Sequence, residues 1–341
     1  EKYLTYPIHN NNGEPKLGAR LGSQNLDEAV KMISICQGLD LIWDTLTQEQ
    51  RDLIATKLLL PTAREVLIPH PHGLHNIQCW RNSAIGLVGF LLGDEELIRY
   101  AIENPGTGFR SQMGGVSPDG CWFEGAWGYH FYTMSAIWPL TEAARNCGID
   151  IYCPEFKRMF EAPLRFTMPI MALPAFNDSG QTNLSGGSSV YEIGYARYKD
   201  PVFLELITRS NRRNDFALFY GEPQLPEAGK REWNSADYPN SGYAILAKGE
   251  GEDATWMALK YGPHGGGHGH PDKLNFVLCA KGKVIGYDPG TTRYGLPLQK
   301  EWHKTTIAHN TLAVDEDSQK PAEGRCIEFG SRNGVEYAVC E

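Results

Sequence analysis

The sequence predicts an α+β multidomain chain, helical to about residue 220 and antiparallel β beyond it. Three observations predict this. Apolar residues recur near the 3.6-residue period through the first two-thirds, a Gly, Pro and charge-rich stretch at 221–234 breaks the pattern, and short alternating runs between turn signals follow. Helices and strands do not interleave, so the chain reads as two separate cores and not as a βαβ fold. The β part reads as a sandwich, and consecutive antiparallel helices are what a helical toroid requires.

Taken in order, residues 26–45 carry Ala29, Met32, Ile33, Ile35, Leu39, Leu41 and Ile42 at helical spacing. A second helix over 47–60 opens at Thr47, in what reads as a Thr-x-x-Glu capping box. Residues 76–92 are apolar nearly all round and stop at Gly93, as a buried helix does. Helices are expected at 95–103, 125–147 and 154–166, the last with Pro154 at its start. Residues 174–187, rich in Asn, Asp, Ser and Gly, read as loop, and helix resumes at 190–198 and 201–209. Beyond the linker, strands are expected at 242–248, 255–261, 274–279, 283–287, 311–314 and 335–340. The expected domains are therefore 1–225 and 235–341.

Length and composition bound the function. A chain of 341 residues, 41% hydrophobic, can bury a large core, and it has no apolar run long enough to cross a bilayer and no secretory leader. It starts at Glu1 and stops at Val339-Cys340-Glu341 inside a strand-like alternation, which reads as a piece of a longer protein. A net charge of −9 argues against nucleic acid as the main partner. The eight cysteines include no CxxC pair and fall largely in apolar context, so they read as buried thiols, although Cys147 and Cys153 could bridge. The 8 Trp and 16 Tyr suit a sugar-binding cleft and equally an ordinary large core.

The stretch 261–272, Tyr-Gly-Pro-His-Gly-Gly-Gly-His-Gly-His-Pro-Asp, is the most informative in the chain. It brings three imidazoles and a carboxylate together with enough glycine for the backbone to bend closely around what they hold. His268 and His270, at i and i+2, leave one face of an extended strand and stand at the entrance of a buried strand over 273–280. With Asp288 and His309 they offer neutral nitrogen and carboxylate oxygen, a set suited to zinc or a similar ion. A glycine-rich turn with surface histidines is the competing reading. His75 and Asn76 open the buried helix that carries Trp80, Arg81 and Asn82, where backbone N–H groups favour an anion; Asn76 could equally be only an N-cap. Residues 119–132 form an aromatic turn feeding a helix with Glu124, Trp127, Tyr129, His130 and Tyr132, costly to bury without partners. Phe176-Asn177-Asp178-Ser179-Gly180 reads otherwise as a polar turn bonding its own backbone.

In this order and context, His75-Asn76 with Trp80 and Asn82, Glu124-Gly125 with residues 129–132, Asn177-Asp178, and Pro263-His264-Gly265 with His268-Gly269-His270 resemble the heparinase II/III-like polysaccharide lyases. The resemblance implies an incomplete (α/α) toroid followed by an antiparallel β-sandwich, and β-elimination of uronic-acid polysaccharides. It implies one divalent metal, zinc before manganese or calcium, mainly structural, on His270, Asp288 and His309. Tyr129 is implied as the catalytic tyrosine, which could supply the acid and for one substrate epimer the base as well, with Tyr132 as the fallback in helix phase, His75 as the alternative base, and His268 as the active-site histidine. His75 and Asn76 are implied to face substrate, in the order His-Asn where some members have Asn-His. Trp80, Arg81, Glu124, Trp127, His130, Asp178, Arg293 and Tyr294 are the expected substrate contacts. Arg81, Arg110 and Arg293 favour a glycosaminoglycan such as heparan sulfate, chondroitin sulfate or hyaluronan, with alginate second. The competing functions are a toroid glycoside hydrolase using Glu124 and Asp178, and a non-catalytic carbohydrate-binding protein. The expected setting is periplasmic or secreted, with an acidic polysaccharide as partner, neither nucleic acid nor membrane, and a homodimer as one assembly.

Overall fold

The computed structural model describes residues 2–9 and 18–341. Its contacts form two compact units, one of Glu1–Gly115 with Phe131–Tyr152, the other of Val116–His130 with Cys153–Glu341. Among the described residues, no helix is long and apolar enough to cross a membrane.

In the first unit, α1 (Asn25–Ile42) buries Ala29, Met32, Ile33 and Cys36, the stripe its periodicity marks. The helix α2 (Gln48–Ile54) starts at a reciprocal cap in which the Thr47 hydroxyl accepts from the Gln50 N–H at 3.3 Å and the Gln50 side chain accepts from the Thr47 N–H at 2.8 Å. The box is thus closed by Gln50 and not by a glutamate. Two π-helical stretches, Ala55–Leu59 and Thr62–Leu67, carry the chain to α3 (Asn76–Leu92). That helix is buried along most of its length and ends at Gly93, whose left-handed φ of 67° lets the chain turn away. The short helix α4 (Glu95–Glu103) begins on Asp94, which accepts from the Leu97 N–H. Next comes α5 (Phe109–Gln112), which the sequence reading left unassigned. The long α6 (Trp127–Asn146) contributes its first four residues to the second unit and the rest to the first.

The second unit opens its helices with α7 (Pro154–Phe166), proline at the first turn as expected. Its Phe160 packs on Phe156, on Tyr191 of α8 (Tyr191–Tyr198) and on Phe203, which precedes α9 (Leu204–Arg209). After α10 (Asp215–Phe219) the chain enters a five-stranded antiparallel meander, β1 (Ala236–Tyr238), β2 (Tyr243–Lys248), β3 (Thr255–Lys260), β4 (Asn275–Ala280) and β5 (Lys283–Gly286), paired in that order. Alternation along β3 and β4 places Trp256, Ala258, Val277 and Cys279 inward. A separate hairpin joins β6 (Cys326–Arg332) to β7 (Val335–Cys340) through Asn333 and Gly334, both at positive φ.

Three expectations change, two of them in the β part. Residues 311–314 form no strand, and Val314 makes only an isolated bridge to Asp317. Leu312 and Val314 are 83% and 72% exposed, so nothing buries the alternation that suggested one. The strands β1 and β6 went unread because one has three residues and the other carries a glycine and a bulge next to Cys326. All eight cysteines are free, Cys147 and Cys153 included.

One close approach fixes how β2 starts against the end of β3. Gly242 has φ of 73° and a Cβ there would lie 1.9 Å from the Gly262 Cα, while its carbonyl accepts from the N–H groups of Tyr261 and Gly262. Gly242→Ala should therefore lower stability by about 1–3 kcal/mol. By contrast, Gly38 lies inside α1 with nothing within 4 Å of an added Cβ, so Gly38→Ala should raise stability by about 0.5–1 kcal/mol. Chemical denaturation of the two variants checks both signs.

Candidate active site and metal centre

Local backbone chemistry brings the polar residues of the second unit together. Asn177 adopts φ of 61°, which Asn tolerates better than most residues. Its amide donates to the Gly125 carbonyl at 2.7 Å, and its oxygen accepts from the His270 N–H at 3.3 Å and from the Lys260 ammonium. The next N–H, of Asp178, donates to the His268 carbonyl at 3.0 Å, and the Ser179 hydroxyl accepts from the Trp127 N–H at 2.9 Å. The loop is thus stitched to the turn before α6 and to the histidine stretch, and is not a turn that bonds only itself. Gly269 is required within that stretch, because a Cβ there would sit 1.9 Å from the His264 carbonyl oxygen.

Asp178 is the centre of the cluster. It is 4% exposed. One carboxylate oxygen accepts from His270 Nε2 at 3.0 Å and Thr291 Oγ1 at 3.2 Å. The other accepts from His268 Nδ1 at 3.0 Å, the Tyr294 hydroxyl at 3.0 Å and Lys304 Nζ at 3.1 Å. Burial alone would push this carboxyl up, but the bonds from His268, His270 and Lys304 outweigh it and hold it far below the usual carboxylate range. His268 and His270 therefore share a target, though not through strand geometry: His268 ends a 3₁₀ turn (Gly266–His268), and β4 begins only at Asn275.

Proton directions follow from Asp178, because an ionised carboxylate only accepts. His268 must carry its proton on Nδ1, which leaves Nε2 turned toward Glu124 at 3.7 Å. His270 must carry its proton on Nε2, which leaves Nδ1 a bare lone pair. Tyr294 spends its proton on Asp178, so its oxygen accepts from the Tyr129 hydroxyl at 3.1 Å. The Tyr129 ring stacks on His268 at 3.8 Å. Burial raises the Tyr129 pKa, with Asp178 and Glu124 adding to the rise against the Tyr294 bond. The phenol thus holds its proton, as an acid should.

The other expected contacts in this unit divide. Glu124 is buried and accepts from the Trp122 indole at 2.6 Å. Trp127 packs on Phe166 and on the His130 ring. His130 is a core histidine: Nδ1 accepts from the Trp122 N–H at 3.3 Å, Nε2 meets the Met159 carbonyl at 2.9 Å, and burial pushes its pKa down to about 4. Its expected contact with substrate therefore has no ring nitrogen to make it. Arg293 and Tyr294 are both exposed.

Beside this cluster lies a group suited to a cation. Ligand atoms of Asp272, Asp288 and His309 all lie within 4.8 Å of one another, and all three residues are buried. Asp272 completes the group where the sequence reading expected His270. His270 lies next to it, its ring 5.4 Å from that of His309. Both His270 Nδ1 and Asp272 Oδ2 are buried without a hydrogen-bond partner, which a divalent cation would remedy. Burial pushes the Asp272 carboxyl up, but the Lys260 ammonium paired with it outweighs that and leaves its pKa lowered. Asn275, opposite Lys260 in the β3–β4 register, donates to Asp288. Lys260, Lys304 and Thr291 were missed, and Asp272, noted as the carboxylate of the histidine stretch, was not assigned to the cation group. Lys260 had a readable signal, a charge at the inward position of a strand after Trp256 and Ala258, whereas nothing near Lys304 marks it.

In the first unit, His75 and not Asn76 is the N-cap of α3, its Nδ1 accepting from the Ile77 N–H at 3.2 Å. Asn76, at the first helical position, is 2% exposed. Trp80 packs on Tyr132 at 4.8 Å. Arg81 is buried with Nε and Nη1 unpaired, and burial lowers its pKa to about 10. Arg110 is exposed and paired with Glu103 at 2.7 Å.

Two families match the chain, alginate lyase over residues 42–175 and heparinase II/III-like, C-terminal, over residues 230–335. The chain is 28% identical to an exo-oligoalginate lyase of Saccharophagus degradans over 93% of its own length and 50% of that protein's. It is 28% identical to an alginate lyase of Stenotrophomonas maltophilia over 90% of its length and 45% of that protein's. A crystal structure of heparinase III is similar at a TM-score of 0.68 and 17% identity, over 94% of this chain and 52% of that one. The expected fold, helical toroid followed by antiparallel β-sandwich, therefore holds. The chain spans about half the length of the curated relatives it matches.

Two outcomes are expected. A carboxyl whose pKa is depressed on folding stabilises above its unfolded value and loses that contribution as pH falls. The stability gap between the native chain and Asp178→Asn should be wide at neutral pH and close as pH drops below about 4, the unfolded carboxylate value; a gap independent of pH would exclude an ionised Asp178. Elemental analysis should find about one equivalent of divalent metal, and His309→Ala should lose it and melt earlier. Full metal content in that variant would remove the assignment.

Proposed function

We propose that the chain, which is similar to the heparinase II/III-like polysaccharide lyases and to alginate lyases, cleaves a uronic-acid polysaccharide by β-elimination. The observation that carries this reading is the single arrangement of Tyr129 stacked on His268, with His268 bonded directly to Asp178 and Tyr129 tied to it through Tyr294. The expected domains, a toroid over 1–225 and a β-sandwich over 235–341, are kept in the proposal.

The C5 proton of a uronate is poorly acidic while its carboxylate stays fully charged, so that carboxylate must first be neutralised. Asn76 is assigned that role, with His75 beside it in sequence. His268, its Nδ1 proton spent on Asp178, offers Nε2 either as a lone pair or, protonated, as a donor to an acid group. The base removes the C5 proton, the C4–O4 bond breaks as the double bond forms, and an acid delivers a proton to O4. Tyr129 suits the acid, since its environment keeps the phenol protonated. The metal, zinc by preference on His270, Asp288 and His309 with Asp272 beside them, would supply a fixed charge that holds the histidine stretch in place.

The hydrolase reading is weaker on physical grounds. A glycosidase needs a carboxyl raised in pKa as its acid, and Asp178 is depressed with both oxygens occupied. For the substrate, the arginine argument for a sulfated polymer loses ground, because Arg110 is ion-paired and Arg81 is buried. What supports alginate is the alginate lyase match over residues 42–175 and the similarity to two alginate-cleaving relatives. A glycosaminoglycan is the second reading, favoured by the heparinase II/III-like match. A periplasmic or secreted setting accords with a polymeric extracellular substrate.

Alginate, heparan sulfate, chondroitin sulfate and hyaluronan should each be incubated with the protein. A lyase gives ultraviolet absorbance from the new double bond, a hydrolase gives reducing ends without it, and a binding protein gives neither. On the active polymer, Tyr129→Phe should fold normally and lower kcat by at least about a hundredfold. Near-normal turnover there, with loss in Tyr132→Phe, would move the acid three residues along the helix.

A further inference from the structure

We propose that Cys326 and Cys340 are the two halves of a cross-strand disulfide that locks the β6–β7 hairpin. The register carries the inference. Arg325 and Glu341 exchange both backbone hydrogen bonds, Arg325 N–H to the Glu341 carbonyl at 2.7 Å and Glu341 N–H to the Arg325 carbonyl at 3.0 Å. The next pair inward, Cys326 opposite Cys340, is therefore a non-hydrogen-bonded pair. In such a pair the Cα atoms lie about 4.5 Å apart with the side chains on one face. A disulfide spans Cα separations of roughly 4.4–6.8 Å, so no backbone movement is needed.

Other features of the hairpin point the same way. Its turn is Asn333-Gly334, both residues at positive φ, which sets a two-residue hairpin, and the bulge between Cys326 and Glu328 then shifts the register by one residue and places Cys326 opposite Cys340. Both are half-buried and reachable, whereas Cys36, Cys79 and Cys279 are buried. The root of the hairpin is fastened to the main sheet, where the Gly324 N–H donates to the Tyr261 carbonyl at 2.9 Å. Tyr261 in turn donates its hydroxyl to Asp237 at 2.5 Å and opens the glycine-rich histidine stretch. A covalent lock would thus brace the strand end from which that stretch departs.

The chemistry balances with an external disulfide, R–S–S–R, as oxidant. Burial and then the neighbouring Cys326 push the Cys340 thiol up to about 12; either sulfur of the adjacent pair can open the exchange, for example Cys326. Its thiolate attacks one external sulfur, forms a mixed disulfide and expels RS⁻. Cys326 then no longer carries the charge that held the Cys340 proton. Cys340 loses that proton, attacks the Cys326 sulfur and expels the second RS⁻. The two cysteines give up two protons and two electrons, and the external disulfide becomes two thiols.

The test uses the whole chain, incubated with oxidised glutathione, freed of it and then unfolded for thiol titration. Titratable thiols should fall from the eight of the sequence to six, and dithiothreitol should restore them. Peptide mass spectrometry without reduction should find Cys326 joined to Cys340, and the oxidised chain should melt higher than the reduced one. Cys326→Ser should fold, show no cross-link and melt alike under both conditions. Eight titratable thiols after oxidation, glutathione retained on either cysteine, or a bridge between other cysteines would each overturn the proposal.

Discussion

The ionised Asp178 carboxylate is the constraint on which the second unit's polar interior depends. Burying a carboxylate without compensation costs several kcal/mol, and here five donors converge on its two oxygens. Because the group only accepts, each donor is committed in direction. It sets the tautomer of His268, leaving Nε2 toward Glu124, and that of His270, leaving Nδ1 bare beside His309. It also makes Tyr294 an acceptor for Tyr129. One charge thereby orders both the stacked Tyr129 and His268 side chains and the nitrogen that lies beside the Asp272, Asp288 and His309 group.

A second buried charge keeps that arrangement from relaxing. Lys260 stands on the inward face of β3, where its ammonium bridges Asp272 and Asn177. Removing either partner of such a pair typically costs about 3–5 kcal/mol, because the survivor stays buried and uncompensated. Asn177 in turn holds the Gly125 carbonyl and the His270 N–H, so the backbone that presents Asp178 is tied on both sides. The ion pair thus acts less as a source of stability than as a device that permits one loop position.

The two histidine-bearing regions do different physical work despite similar sequence texture. His75 spends Nδ1 on capping α3, a duty the sequence alone allowed to Asn76. His130, read as a substrate contact, is held between two backbone groups in the core. A histidine next to aromatic residues and a tyrosine at the start of a helix looks the same in either case. Only the partner of each ring nitrogen distinguishes them.

Local order was legible from the chain alone wherever a short-range rule operates. The stripe of α1, the glycine stop after α3, the proline start of α7 and the alternation of β3 and β4 each follow from spacing within one element. The Asn333-Gly334 turn obeys such a rule too, so β6 could have been read backwards from β7. Tyr129, His268 and Asp178 were recognisable as candidates through motif order. Their connection was not, since Asp178 meets His268, Thr291 and Lys304 across 90 or more residues and no periodicity encodes which distant donor closes on which acceptor. Tertiary packing decided those pairings, the tautomers that follow from them and the entry of Asp272 into the cation group. A buried charge takes whatever complementary atoms the folded backbone brings within hydrogen-bond reach, and that reach is set by how loops close, not by spacing along the chain.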